Sequence, residues 1–208
     1  MFKMGMIFYA VLLGISMAIT AVFHDDLSYW FPARSWQTYA MDVVYGVSIG
    51  LAIVLLSRLM LAWVKDAQKL SEEFGRLLGP LKWWEILGLA LASGIAEEAL
   101  FRVALQPLWG FWVCSILFGL IHTGPKKYFI NWTLFALAFG FAIGWIFEVW
   151  PGIVLPATIH ATVNGINIGW LVKKYGHTNQ GLERFVTEPL PYLDGDEDSP
   201  FGKNEVVG

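Results

Sequence analysis

Charge is scarce in this 208-residue chain: Asp, Glu, Lys and Arg make up 15% of it, against roughly 25% in an ordinary soluble domain. With 56% of the residues hydrophobic and 16% aromatic, that scarcity excludes an ordinary water-facing domain. Cysteine is nearly absent. Cys114 stands alone in an apolar run, which rules out an intramolecular disulfide, a cysteine-based zinc site and dithiol redox chemistry. The formal net charge is -3 and the basic residues are scattered, so the basic patch that nucleic acid needs is missing and no nucleic-acid partner is expected. No internal repeat marks inverted transporter halves, and no His-Glu-x-x-His stretch marks a helical zinc site.

What the chain does have is apolar length. A helix needs about 20 apolar residues to cross the hydrocarbon core, and about six stretches qualify or nearly do. They run from Met4 to Phe23, Met41 to Val64, Trp84 to Leu105, Trp109 to Thr123, Tyr128 to Val149 and Gly152 to Val172. The expected fold is therefore an all-α, polytopic integral membrane bundle with no sheet, forming one transmembrane domain over residues 1–175. The fourth stretch is short, because Gly124-Pro125 should stop it soon after His122. The first admits a second reading as a cleaved signal peptide, since Lys3 precedes an apolar run and Ser16-Met17-Ala18 is spaced as at a cleavage site. Either reading leaves the topology of the rest unchanged.

Lys and Arg in the loops predict the orientation. Lys65, Lys69, Arg76, Lys82, Lys126, Lys127, Lys173 and Lys174 fall in alternate loops, while the opposite loops hold Arg34, which places both termini in the cytoplasm and makes membrane lipid the solvent. Arg58, near the inner end of the second span, is expected to snorkel as an anchor. Leu70, Phe74, Leu77 and Leu78 recur at helical spacing among charged neighbours and predict an amphipathic inner-surface helix over about residues 66–79, ended by Gly79-Pro80. Trp83 and Trp84, like Trp30, Trp36, Trp109, Trp112, Trp132 and Trp150, fit interfacial belts. Residues 176–208 are polar, with Asp194, Asp196, Glu197 and Asp198 clustered, and read as a poorly ordered tail. His24 and His177 are expected to be solvated.

Against this apolar background stand Glu97, Glu98 and Arg102, then His122, then His160 and Asn164. Ionisable groups at bilayer depth are costly, so each is a functional hypothesis. Glu98 and Arg102, four residues apart, can meet on one helix face, whereas Glu97 points about 100° away. That leaves Glu98 and Arg102 as a buried ion pair and Glu97 as the candidate base. His160 and Asn164 share a face that can donate hydrogen bonds to an oxyanion, and Pro156, one turn earlier, can open the backbone ladder beside them. His122 supplies a second imidazole able to share a water with Glu97. Counted from the outer boundaries at 1.5 Å per residue, Glu97 lies about 12 Å deep, His160 about 14 Å, and His122 and Asn164 about 20 Å, all in one slab. The first two spans are expected only to complete the bundle around a core over residues 84–173. The structural alternatives are interhelical hydrogen bonding by the His and Asn side chains and, with two histidines and a carboxylate, a catalytic zinc site.

Three motifs now stand in order on hydrophobic helices. Glu97-Glu98-Ala99-Leu100-Phe101-Arg102 reads as Glu-Glu-x-x-x-Arg, Phe118 to His122 as Phe-x-x-x-His, and His160 to Asn164 as His-x-x-x-Asn. Together they resemble the CAAX protease and bacteriocin-processing (Abi) family over roughly Leu87 to Leu171. The resemblance implies an intramembrane endopeptidase in which Glu97 and His122 activate water, His160 and Asn164 stabilise the oxyanion, and Glu98 and Arg102 support them. It also implies a metal-free, glutamate-type mechanism without cofactor, a membrane-associated or lipidated protein substrate, and residence in a bacterial inner membrane. The rival readings are a non-catalytic immunity or regulatory partner that uses the polar pocket for binding, and a proton or small-ion transporter.

Overall fold

The computed structural model describes residues 1–24, 27–63, 65–124, 126–127 and 129–176. His177 and the acidic tail expected beyond Gly176 lie outside the described residues. Every regular element among the described residues is helical: α1 (Phe2–Phe23), α2 (Trp36–Trp63), α3 (Lys65–Leu78), α4 (Trp83–Glu98), a π-helical segment (Ala99–Leu105), α5 (Gln106–Trp109), α6 (Phe111–Ile121), α7 (Phe129–Val149) and α8 (Val154–Tyr175). By length and composition, α1, Trp36–Leu59 of α2, and α7 are apolar enough to cross a membrane. The regular α-helix of α4 ends after 16 residues, where the π segment continues it, and α8 carries His160, Asn164, Lys173 and Lys174, which dilute its hydropathy. Large apolar side chains face outward, including Trp63 at 86% exposure and Val22 at 72%, as expected where hydrocarbon is the solvent. The molecule is an integral membrane helix bundle.

The ends of the elements follow from local chemistry. Gly79 adopts φ +65, which ends α3 at little cost, and its N–H closes the last turn onto Gly75 O. Glu85 folds back to accept the Lys82 N–H at 2.8 Å, capping α4. The π-helical segment gives way to α-helix at Gln106, just before Pro107, which has no N–H to continue the wider ladder. α8 begins at Val154, so Pro156 lies in its first turn, where amide groups have no intrahelical partner. Pro156 therefore opens no ladder beside His160, contrary to the expectation from its spacing.

α8 runs through the centre, packed along α2 on one side and α4 on the other, while α6 pairs with α7 and α1 lies against α4 and the π segment. Small residues permit these close approaches. An added Cβ at Gly46 would sit 2.6 Å from Thr158 Cβ, and one at Gly94 would sit 2.8 Å from Ala157 O. Phe101, Phe118, Phe139, Ile143 and Ile159 fill the space between the helices. At one end of the bundle, Arg34 pairs with Asp42 at 3.4 Å, and Asp42 accepts Trp150 Nε1–H at 2.8 Å. At the other end, α3 packs across the last turns of α8, and Glu73 pairs with Lys126. The loops thus segregate into the two groups that the Lys and Arg pattern separates.

Candidate active site

Glu97 and Glu98 close α4, immediately before the π-helical segment, and they have different surroundings. Glu98 is fully buried and uses both oxygens: Oε2 accepts Arg102 Nε–H at 3.1 Å, and Oε1 accepts His160 Nδ1–H at 2.6 Å. The ion pair expected from the spacing is present, and it carries His160 as a third member. Arg102 continues the network by donating from Nη1 to Gln106 Oε1 at 3.1 Å, while Gln106 Nε2 donates to Gly144 O at 3.0 Å and Glu148 Oε1 at 2.8 Å. A buried guanidinium is stable only when its donors and charge are answered, and this chain of acceptors answers most of them.

Glu97 has no partner on its own helix. Its Oε2 is buried and makes no direct hydrogen bond, yet it lies 3.7 Å from His122 Nε2 and 4.0 Å from His160 Nε2. The two imidazoles reach it from α8 and from the end of α6. In both rings Nδ1 is already committed, His160 to Glu98 and His122 to the Phe118 carbonyl at 2.6 Å. Since a carbonyl only accepts, His122 Nδ1 carries a hydrogen, and Nε2 of each ring is the nitrogen left for the cavity. Asn164, one turn beyond His160, donates to Ser93 Oγ at 2.9 Å and lines the same cavity.

That cavity has a volume of about 420 Å³ and extends from Glu97, His122 and His160 along α8 to the apolar face of α3, where Leu70, Phe74 and Leu77 line it. Several of its walls depart from the sequence reading. Tyr9 of α1 lines it, with its hydroxyl facing Glu97 and Ser93, and Arg58 of α2 lines it too, so the first two spans help build the cavity. The Arg58 guanidinium lies 4.2 Å over the Trp170 ring, with Nη2 buried and unpartnered. Trp132, expected in an interfacial belt, meets His122 edge to face at 5.7 Å and forms part of the wall. His24 is not simply solvated, because its Nε2 bonds Ala104 O at 3.0 Å. Phe118 packs, as expected, at 4.7 Å from the His122 ring and 5.3 Å from the Arg102 guanidinium.

Some of these partners were accessible from spacing. Ser93 and Gln106 continue the four-residue series through Glu97 and through Glu98 and Arg102, which places each on the matching helix face. Tyr9 gave no such signal, because a single tyrosine in an apolar span looks like an interfacial residue. Among the described residues, no group of three or more His, Cys, Asp or Glu side chains is arranged to hold a metal ion.

Fold and site together define a class: an integral membrane helix bundle with a carboxylate flanked by imidazoles in a buried cavity. Comparison with known proteins adds a likeness. Residues 79–166 match the family model described as Type II CAAX prenyl endopeptidase Rce1-like. The matched segment contains Glu97, Glu98, Arg102, His122, His160 and Asn164. The chain is also 28% identical over 139 residues to Uncharacterized protein YpbD of Bacillus subtilis (strain 168), covering 64% of this chain and 71% of that one. No solved structure matches the chain.

Proposed function

We propose that the chain is an intramembrane endopeptidase that hydrolyses a peptide bond in a membrane-associated or lipidated protein. The observation that carries this reading is Glu97 Oε2 standing 3.7 Å and 4.0 Å from two imidazole nitrogens on other helices. Those separations are too long for direct hydrogen bonds and leave the three groups within reach of one water. Glu97 takes a proton from that water as its oxygen attacks the peptide carbonyl carbon. His122 Nε2 orients the water. Asn164 Nδ2–H and His160, doubly protonated beside Glu98 so that Nε2 also carries a hydrogen, hold the oxyanion, and the C–N bond breaks as the leaving amine receives the proton through Glu97 and His122. Glu98 and Arg102 act by positioning: they fix the His160 ring from behind. The reaction draws only on these side chains and water, with no metal or cofactor in the scheme.

The Lys and Arg pattern supports cytoplasmic termini, and the relative from Bacillus subtilis supports a bacterial cytoplasmic membrane. The test compares membranes carrying the native chain with membranes carrying Glu97→Gln, a change that keeps shape and removes the base. New protein termini should appear only with the native chain, at equal amounts of inserted protein. Termini that persist with Glu97→Gln refute the assignment, and a cellular function that survives it would make the cavity a binding site instead.

A further inference from the structure

Arg58 is the residue that the peptidase scheme leaves unexplained. It sits on α2, outside the segment that matches the family model, yet it lines the same cavity as Glu97. Its contact among the described residues is the Trp170 ring at 4.2 Å, and its Nη2 is buried without a hydrogen-bond partner. Lys174 Nζ lies 4.9 Å from the same ring, so two cations bracket Trp170. Arg102 Nη2 also lacks a hydrogen-bond partner, but Arg102 has Glu98 as its counter-charge and Glu97 has two imidazoles beside it, whereas no ion pair reaches the half-buried Arg58 among the described residues. A cation held in a membrane cavity with an unused N–H is costly unless an anion completes it.

We propose that Arg58 binds a carboxylate of the substrate chain and so sets where that chain is cut; this rests on the peptidase reading of the cavity. Trp170 and His160 lie on one helix ten residues apart, about 15 Å along its axis. An extended peptide advances about 3.3 Å per residue, so a carboxylate held at Arg58 places the bond near Glu97 about four residues away. Asn164 and Asn167 line the wall between the two ends and offer amide groups to a peptide backbone. Guanidinium matches carboxylate geometry with two parallel N–H donors, a fit that an ammonium group lacks. The carboxylate comes either from the end of the substrate chain or from an Asp or Glu side chain.

Binding is measured with full-length Glu97→Gln protein in lipid nanodiscs, so that no turnover is needed. The probes are a fluorescent hydrophobic octapeptide as the free acid, the same peptide as the C-terminal amide, and the amide with one internal Asp. Either carboxylate form should bind at least about tenfold more tightly than the neutral amide, as charge-assisted bonding requires. The form that gains identifies the source. Adding Arg58→Met should bring the probes to within about twofold of one another, whereas Arg58→Lys should keep part of the preference. Equal binding of all three probes to the parent protein overturns the proposal, as does a preference that survives Arg58→Met. The parent comparison decides even if the Met variant does not fold. Failure of the peptidase reading has a different signature: the native chain generates no new termini while the carboxylate preference stands.

Discussion

His160 Nδ1 lies 2.6 Å from Glu98 Oε1, a bond that ties α8 to the end of α4 and turns the ring so that Nε2 faces Glu97. Adjacent carboxylates thereby divide their work. Glu98 is spent on structure, with one oxygen on Arg102 and the other on His160, while Glu97 is left facing the cavity.

Removing Glu98 strands two groups at once. Glu98→Ala leaves Arg102 without its carboxylate and His160 without its brace, and breaking a buried pair in this way costs about 3–5 kcal/mol. The expected outcome is a large fall in the thermal midpoint of the purified protein in detergent, together with loss of cleavage. An unchanged midpoint would show that the network does not hold the helices together.

Tyr9→Phe separates the role of α1 from its packing. The substitution keeps the ring and deletes the hydroxyl that faces Glu97 and Ser93. The hydroxyl makes no direct hydrogen bond among the described residues, so stability should barely change while cleavage falls by about tenfold or less, the factor that about 1.4 kcal/mol makes. Activity equal to that of the native chain would confine Tyr9 to lining the wall.

Gly94→Val tests how closely α4 must approach α8. A Cβ there would lie 2.8 Å from both Ala157 O and Ala161 N, which are backbone atoms and cannot turn aside. Overpacking of this kind costs about 1–3 kcal/mol, and it would push the Glu98 carboxylate away from His160. Cleavage should be lost even where the folded protein is recovered. A fully active Gly94→Val variant would show that the helices tolerate the wedge.

Much of this arrangement was legible in the chain itself. Apolar length located the spans, and the amphipathic spacing of Leu70, Phe74, Leu77 and Leu78 located α3, because both signals are local and periodic. The spacing of Glu98 and Arg102 foretold their ion pair for the same reason. The contact of Glu98 with His160, 62 residues away, depends on how α4 packs against α8, and no local period encodes that. The π-helical segment escaped as well, since its residues Ala99–Leu105 have ordinary helical propensities. The stacking of Arg58 on Trp170 had no local signal either, since the two residues lie on α2 and α8.

The spacing of the central atoms also bears on metal dependence. Zinc bonds nitrogen and oxygen at about 2.0–2.2 Å, so tetrahedral ligands stand about 3.4 Å apart. Glu97 Oε2 stands 3.7 Å and 4.0 Å from the two Nε2 atoms, wider than that though short of the about 4.6 Å at which two groups share a water, and among the described residues no three His, Cys, Asp or Glu side chains are arranged to hold a metal ion. Glu98 is committed to Arg102 and His160 and so supplies no fourth ligand. Cleavage by the purified chain is therefore expected to survive prolonged dialysis against phenanthroline and EDTA within about twofold, far from the several kcal/mol that a catalytic metal supplies. Loss of activity on dialysis, restored by added zinc, would replace the shared water with a metal at the same three atoms.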